Sequence, residues 1–387
     1  MRHDIRAPMK LDDWLAQRSQ SCPERVALIA DGAEVTYAEL EAEATWVARR
    51  LAAQGVRRGS VAAMTMHPRR EQVVLVHALM KLGAVLLPLA PRLSPAERAA
   101  AIAAEELAID LDDAGELTQT EADMPLLGEH DMDALACKVM TSGSTGAPEA
   151  VGLTYGNFLW SAVGSAFNIG VEPEDRWLCC LPLSHISGLG IVMRSVIYGT
   201  TAVVHDGFDV NRMAASLEGE GITVVSLVAT LLARLLEAGA DLSAPRAILV
   251  GGGPVPEDAL EEALGRGATV VQTYGLTEAC SQVTTGGFPL FCTRVALSPA
   301  GEILVGGPTV APGSRGDDGL LHTGDLGDLD ADGRCSPPTC GSRTARSSSR
   351  ARPWRRNGST PTAGSAPVTS GASTTKVSST WRTASTT

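Results

Sequence analysis

The stretch Thr141-Ser142-Gly143-Ser144-Thr145-Gly146, with Ala147-Pro148-Glu149 behind it, lies between two short apolar runs, Cys137 to Met140 and Ala150 to Leu153. Both runs read as strands, and a helix is predicted to start near Asn157. Four hydroxyl residues and two glycines make a turn whose backbone N–H groups can point inward together, because glycine tolerates positive φ and close approach. Such a concavity suits a polyphosphate. A Ser/Gly-rich surface turn is the plain alternative. The pattern G-x-x-x-x-G-K-[ST] occurs nowhere in the chain, so the common NTPase loop is excluded.

Outward from this stretch the chain alternates strand and helix. Towards the N-terminus the spacing predicts a helix over 10–20, a strand over 26–30 with a turn at Asp31-Gly32, and a helix to Gln54. Thr36 and Glu39 form the capping box of that second helix. A strand over 61–66, a helix over 70–82 and a strand over 85–89 follow. Ser94 caps a further helix, with Pro95 at its first position. Residues 110–135 are acidic and read as loop-rich.

Towards the C-terminus, strands are predicted over 177–181, 201–205, 224–228, 247–250 and 269–272. Helices over 189–198, 211–219, 230–238 and 256–264 separate them. This is the pattern of α/β layers in which parallel sheets are covered on both faces. Gly- and hydroxyl-rich segments recur after the strands: Pro182 to Gly188, Gly251-Gly252-Gly253-Pro254, and Thr273-Tyr274-Gly275-Leu276-Thr277-Glu278. In open α/β sheets that edge is where ligands bind. From about residue 285 to 330 the character turns β-rich, with a loop over 313–319 before His322-Thr323-Gly324-Asp325.

The 387 residues suffice for two or three domains and a large core, and 44% hydrophobic content is ordinary for a soluble protein. Met1 to Arg18 is charged and carries no secretion signal, and the eight cysteines form no C-x-x-C pair. The expected setting is therefore cytoplasmic, with reduced thiols. Val73 to Pro91 holds His77, Lys81 and two prolines, so a buried helix and strand account for it better than a membrane span. Residues 331–387 carry a charge of +8, which leaves −20 on residues 1–330. An acidic body argues against a nucleic-acid partner. Residues 341–387 contain no Leu, Ile, Met or Phe, and 21 of the 47 are Ser or Thr. Such a tail cannot bury enough apolar surface to offset its ordering entropy, so 331–387 is expected to be disordered.

Taken together, these loops resemble the acyl-adenylate-forming (AMP-binding) superfamily of acyl-CoA synthetases, luciferases and nonribosomal adenylation domains. Thr141 to Gly146 resembles its phosphate loop, Thr273 to Glu278 its Tyr-Gly-x-Thr-Glu motif, and Thr323-Gly324-Asp325 its ribose-binding motif. Three further stretches are most similar to the CoA ligases of menaquinone biosynthesis that act on succinylbenzoate. They are Leu181 to Gly199, Val225 to Leu236 and Tyr274 to Gln282. The resemblance implies a large adenylating domain over 1–330, built from two layered sheets with a small β-rich part near 285–330. It implies ATP, Mg²⁺ and coenzyme A as reactants beside a small-molecule carboxylic acid. It leaves the oligomeric state open.

The resemblance also implies roles. Thr141, Ser142, Gly143, Ser144, Thr145 and Gly146 would hold the β- and γ-phosphates. Thr277 would contact the α-phosphate, and Glu278 would bind Mg²⁺. Tyr274 and Gly275, with Gly251, Gly252 and Gly253, would receive adenine, and Asp325 the ribose hydroxyls. His185 would gate the acyl pocket, beside Ser187 and Arg194. Arg194 stands in an otherwise apolar helix, and a buried guanidinium needs a partner. Either an unseen acid pairs with it, or it clamps a second substrate carboxylate. His185 has an equally simple alternative, that of a hydrogen-bonded loop histidine.

Two departures stand out. The family's phosphate loop has a lysine where this chain has Glu149. The family also ends in a mobile domain whose lysine neutralises the adenylation transition state. Lys376 is the only lysine after Lys138, and its Ser/Thr-rich setting does not match that motif. The tail resembles a GC-rich gene read out of frame from close to Cys335, which the other reading frames of the gene would test. Impaired turnover is the expectation. A non-catalytic nucleotide- or acyl-binding protein, and a CoA ligase for another aromatic or fatty acid, remain alternatives. A serine hydrolase ranks last, for no G-x-S-x-G elbow occurs.

Overall fold

Neighbouring residues of one strand enter different cores, and this fixes the layering. Trp177 and Cys179 join one buried cluster, while Leu178 and Cys180 join a second on the opposite face. Leu28 and Ala30 alternate with Ile29 in the same way, as do Ala202 and Val204 with Val203. Side chains of a strand point alternately to its two faces, so these strands are buried on both sides. The computed structural model describes residues 9–112, 120–142 and 148–336, all within one compact unit of the chain. Residues 337–387 and Gly143 to Ala147 lie outside the described residues.

The larger sheet has nine strands. Their order is Phe288–Pro289, Ser281–Thr285, Val270–Leu276, Ala247–Gly251, Val224–Val228, Arg176–Cys179, Thr201–Val204, Val26–Ala30 and Ala33–Thr36. The central strands are parallel, and the two ends fold back antiparallel. A five-stranded sheet runs Leu107–Asp110, Val61–Thr65, Val85–Leu89, Leu135–Ser142 and Pro148–Thr154. The first core fills the space between the two sheets with the helices Tyr37–Ala53, Arg70–Leu82, Tyr155–Ile169 and Ile186–Tyr198. The second core lies under Val210–Gly219, Ala229–Glu237 and Glu257–Gly265, on the far face of the nine-stranded sheet. A three-stranded sheet, Arg294–Leu297, Glu302–Gly306 and Leu321–Leu326, has its own small core. The predicted α/β architecture of two covered sheets and a β-rich subdomain is what the structure shows.

Local sequence signals set most helix starts. Thr36 Oγ1 accepts from Glu39 N–H at 3.2 Å while Glu39 Oε2 accepts from Thr36 N–H at 2.8 Å, closing the expected box. Ser94 and Glu97 do the same ahead of Pro95. A third box, Thr154 with Asn157, starts the helix at Tyr155, slightly earlier than expected.

Four expectations need correction. Residues 10–12 form a short strand paired with Glu129–Asp131, and the first helix begins only at Trp14, where Asp13 caps it. Ala33–Thr36 is a strand, because Asp31 (φ 51°) and Gly32 (φ 78°) close a tight hairpin onto Val26–Ala30. The strand predicted to end at Gln272 continues to Leu276, held by Ser281–Thr285 on its other side. Finally, Cys335–Ser336 pairs with Asp328–Leu329 and Cys335 is buried in the β-rich core, so folded chain extends past the expected boundary at 330.

One buried feature had no counterpart in the sequence. Lys81, expected only to disfavour a membrane span, places Nζ 2.6 Å from Glu41 Oε1 and 3.4 Å from Asp13 Oδ1. Asp13 Oδ2 lies 3.2 Å from His130 Nε2, and the His130 ring stacks on Tyr155. A buried ammonium persists only with such partners. No helix of the described residues is long and apolar enough to cross a membrane.

Candidate functional site

The parallel strands Arg176–Cys179, Val224–Val228, Ala247–Gly251 and Val270–Leu276 end at one edge of the large sheet, and the predicted motifs emerge there. A Cβ on Gly251 would lie 2.3 Å from Thr273 Oγ1 and 2.9 Å from its carbonyl oxygen, so only glycine lets these two strand ends approach. Gly252 turns the chain with φ 74° beside Val228. Gly253 stands open, with nothing near its Cβ position.

The Tyr274–Leu276 part of the second motif is strand, paired across a bulge, rather than free loop. Tyr274 pairs with Thr284 and Gly275 with Gln282, so Val283 is the extra residue of a bulge. Beyond Leu276 the chain enters a short 3₁₀ turn, Thr277–Ala279, then Cys280 (φ 53°) and Ser281 (φ 88°). Non-glycine residues at positive φ are strained and need outside support. Cys280 N–H donates to Thr277 O at 2.9 Å, and Ala311 N–H donates to Glu278 O at 2.7 Å. The half-buried Glu278 carboxylate makes no hydrogen bond or ion pair among the described residues. A free carboxylate is the kind of oxygen donor Mg²⁺ takes when phosphate groups complete its shell. Among the described residues no three His, Cys, Asp or Glu side chains gather into a metal site of their own.

Asp325 joins this edge from the β-rich subdomain. Tyr274 Oη donates to Asp325 Oδ2 at 2.8 Å, while Asp325 N–H donates to Thr323 Oγ1 at 3.1 Å. Thr323 Oγ1 in turn donates to Ile303 O at 2.8 Å, and Gly324 N–H donates to Glu302 Oε1 at 2.9 Å. Burial, reinforced by the neighbouring carboxylate, pushes the Tyr274 phenol well above its ordinary value, so it stays a donor. The second motif and the third therefore meet directly.

Of the first motif, Gly143, Ser144, Thr145 and Gly146 lie outside the described residues, as does the Ser142 side chain. Its two flanking strands are paired, Thr141 opposite Glu149, with Thr141 Oγ1 donating to Glu149 O at 3.2 Å. The second of these strands contacts the Thr277–Ala279 turn. Glu149 is exposed at the hairpin, and its carboxylate makes no hydrogen bond or ion pair among the described residues.

The acyl-pocket candidates sit on the helix Ile186–Tyr198. His185 is its cap residue and half-buried. Burial, with Arg92 nearby, lowers its pKa, which favours the neutral imidazole. The cap position gives it no side-chain hydrogen bond to the helix, so the bland alternative finds no support. Ser187 is half-buried in the first turn. Gly188 packs against the Pro182 carbonyl, 2.4 Å from where a Cβ would be.

Arg194 is 4% exposed. No acid forms an ion pair with it among the described residues, so the salt-bridge alternative finds no support there. Its Nη2 donates to Ser161 Oγ at 3.0 Å, its guanidinium lies 5.7 Å from the Trp177 ring centre, and its Nε has no partner. Burial pulls its pKa below the ordinary guanidinium value. A cation stripped of water with unused donors is complementary to an anion.

Ser161 was not singled out from the sequence. The signal was there as Asn157, Ser161 and Ser165, polar residues at helical spacing on a helix that is otherwise mostly apolar. All three are buried, and Asn157 Nδ2 donates to the carbonyls of Pro308 (2.8 Å) and Val310 (3.2 Å).

The AMP-binding enzyme family matches residues 15–125 and 104–314. The chain belongs to the AMP-binding enzyme family. The 2-succinylbenzoate–CoA ligase of Bacillus subtilis is 38% identical over 369 residues, covering 83% of this chain and 76% of the relative. The o-succinylbenzoate CoA synthetase of Bacillus subtilis in complex with its acyl-adenylate intermediate superposes with TM-score 0.79 at 36% identity, over 85% of this chain and 78% of that one. The complex of that synthetase with ATP and magnesium ion gives 0.78 at 37%, over 85% and 79%. The AMP-binding match spans the two covered sheets and reaches into the β-rich part, which accounts for their arrangement.

Proposed function

We propose that this chain forms an acyl-adenylate from 2-succinylbenzoate and ATP, as the adenylating part of a CoA ligase of menaquinone biosynthesis. The observation that carries the substrate assignment is Arg194, buried without an acid and with Nε unpartnered. A dicarboxylate supplies one carboxylate for reaction and a second for that guanidinium. The similarity to ligases named for this acid supports the same reading.

The reaction joins two anions. A reacting carboxylate oxygen attacks the α-phosphorus of ATP, the bond from that phosphorus to the α,β-bridging oxygen breaks, and pyrophosphate leaves with the bridging oxygen. The thiol of coenzyme A then attacks the acyl carbon and AMP departs. Positioning and charge compensation are what the protein can contribute. Asp325, braced by Tyr274, accepts from the ribose hydroxyls. The Gly251–Gly253 turn admits adenine. Thr277 would face the α-phosphate, and Glu278 would hold Mg²⁺, whose charge would offset that of the phosphates. Thr141 to Gly146 take the β- and γ-phosphates. Neutral His185 and Ser187 border the acyl group. The adenylating domain runs from the N-terminus to the Asp328–Ser336 hairpin, in the cytoplasm.

Calorimetric titration with a non-hydrolysable succinylbenzoyl-adenylate analogue tests the substrate, against the same analogue lacking the second carboxylate. A charge-assisted pair contributes about 1.5–3 kcal/mol, so the dicarboxylate form should bind roughly 10–100-fold tighter, and Arg194→Met should remove the difference. Equal affinity of the two analogues for the unsubstituted chain would overturn the assignment. A second reading, binding without turnover, rests on Lys376, whose Ser/Thr-rich setting does not match the adenylation-lysine motif. Pyrophosphate exchange with succinylbenzoate separates the two, since a normal rate rules out the second.

A further inference from the structure

Ser161 makes two bonds whose direction chemistry decides. A guanidinium has no acceptor, so Arg194 Nη2 must donate to Ser161 Oγ, at 3.0 Å. The single Ser161 proton is then free for Cys280 O, which lies 2.7 Å away. The chain of donors therefore runs one way, from Arg194 through Ser161 to the carbonyl of Cys280, the residue whose N–H closes the Thr277–Ala279 turn. That carbonyl belongs to a residue held at φ 53°, followed by another at φ 88°. Such a pair keeps its conformation only while neighbours hold it. The helix Tyr155–Ile169 thus touches the acyl pocket and the phosphate turn through one buried hydroxyl, which is 2% exposed.

We propose that Ser161 is a positioning residue that ties the orientation of the Arg194 guanidinium to the conformation of the Thr277–Cys280 turn. Seating a carboxylate on Arg194 and seating a nucleotide phosphate at Thr277 then favour each other. The proposal rests on the reading of Arg194 given under the proposed function. Asn157 braces the same helix against Pro308 and Val310, two anchors that do not depend on the Ser161 hydroxyl.

Two probes titrated into the full chain test this, AMP alone and the succinylbenzoyl-adenylate analogue. Arg194→Met should weaken the analogue 10–100-fold and, because Ser161 then loses its donor, AMP by a smaller factor of about two- to threefold. Ser161→Ala should weaken both, the analogue at least tenfold and AMP at least threefold. Ser161→Thr keeps the hydroxyl and should restore both to within about threefold of the unsubstituted chain. Should Ser161→Ala fail to fold, Ser161→Cys keeps the volume with a weaker donor and should show the same two losses at smaller size. An AMP affinity unmoved by loss of the hydroxyl would overturn the link to the turn. So would a Ser161→Thr variant as weak as Ser161→Ala, since packing rather than hydrogen bonding would then be responsible. If Arg194→Met binds the analogue normally, the Arg194 reading fails, while the AMP titration of Ser161→Ala still judges the turn on its own.

Discussion

Gly275→Ala should detach the Tyr274–Glu278 motif from its neighbour strand. A Cβ at this position would lie 1.7 Å from Ser281 O, 2.7 Å from Ser281 C and 3.0 Å from Gln282 Cα. All three are main-chain atoms, so no side-chain rotation relieves the contact. One strand must retreat by about 1.5 Å or more to regain a non-bonded separation. That movement breaks the ladder where Gly275 meets Gln282 and Leu276 meets Ser281. Overpacking costs about 1–3 kcal/mol, and two lost ladder bonds add about 1 kcal/mol each, for a total of about 3–5 kcal/mol. Urea unfolding followed by circular dichroism measures the loss. Calorimetry with the acyl-adenylate analogue should show binding weakened at least 100-fold, because Thr277 and Glu278 move with the strand. Gly219→Ala is the control, with open space at its Cβ position and a helical backbone, and should be neutral or stabilising by about 1 kcal/mol. A Gly275→Ala protein within about 0.5 kcal/mol of the parent, binding the analogue within threefold, would refute the reasoning.

Tyr274→Phe removes the donor to Asp325 and leaves the ring. Nucleotide affinity should fall about 5–10-fold, a hydrogen bond's worth near 1 kcal/mol, with unchanged unfolding stability as the accompanying check. A second expectation concerns acid. Burial raises the Asp13 pKa, but the bond to His130, the charges of Lys81 and His130 and the Ala16 N–H outweigh it, bringing the pKa from 3.8 to about 2. A folded value below the unfolded one means that the stabilisation is full above pH 3.8 and is lost as pH falls through about 2. The shift corresponds to about 2.4 kcal/mol. Asp13→Asn should keep the helix cap yet lose this acid-dependent part. Its unfolding free energy, compared with the parent between pH 5 and pH 2, should converge on the parent's at the acid end, and a constant gap would refute the assignment.

What the sequence made legible was local or periodic. Capping boxes at Thr36 and Ser94 involve residues three apart, and buried strands such as 85–89 are continuous apolar runs, so short-range physics determined both. Ala33–Thr36 was missed although Asp31-Gly32 is a hairpin signal, because the strand is short and half exposed. The Tyr274–Leu276 segment looked like loop because glycine and hydroxyl residues dominate it. Pairing with Ser281–Thr285, which is a tertiary matter, made it strand. The meeting of Asp325 with Tyr274 followed from motif order, but the Arg194–Ser161–Cys280 line did not. Neither did the Asp13–Lys81–Glu41–His130 cluster, whose members come from four separate segments. Polar pairing across a core leaves little trace along the chain.

The seven cysteines within the described residues are all free, and five of them are buried. Burial pushes Cys180 and Cys280 up to about 12 and Cys335 to about 11. Thiolate is the reactive form, so at neutral pH these sulfurs are chemically silent until the surrounding structure opens. Alkylation of each sulfur, followed by mass spectrometry, therefore becomes a set of timers distributed through the molecule. Cys280 reports opening beside the Thr277–Ala279 turn, Cys180 the far face of the large sheet, and Cys335 the last hairpin, so that a ligand's grip on one region can be clocked separately from the rest.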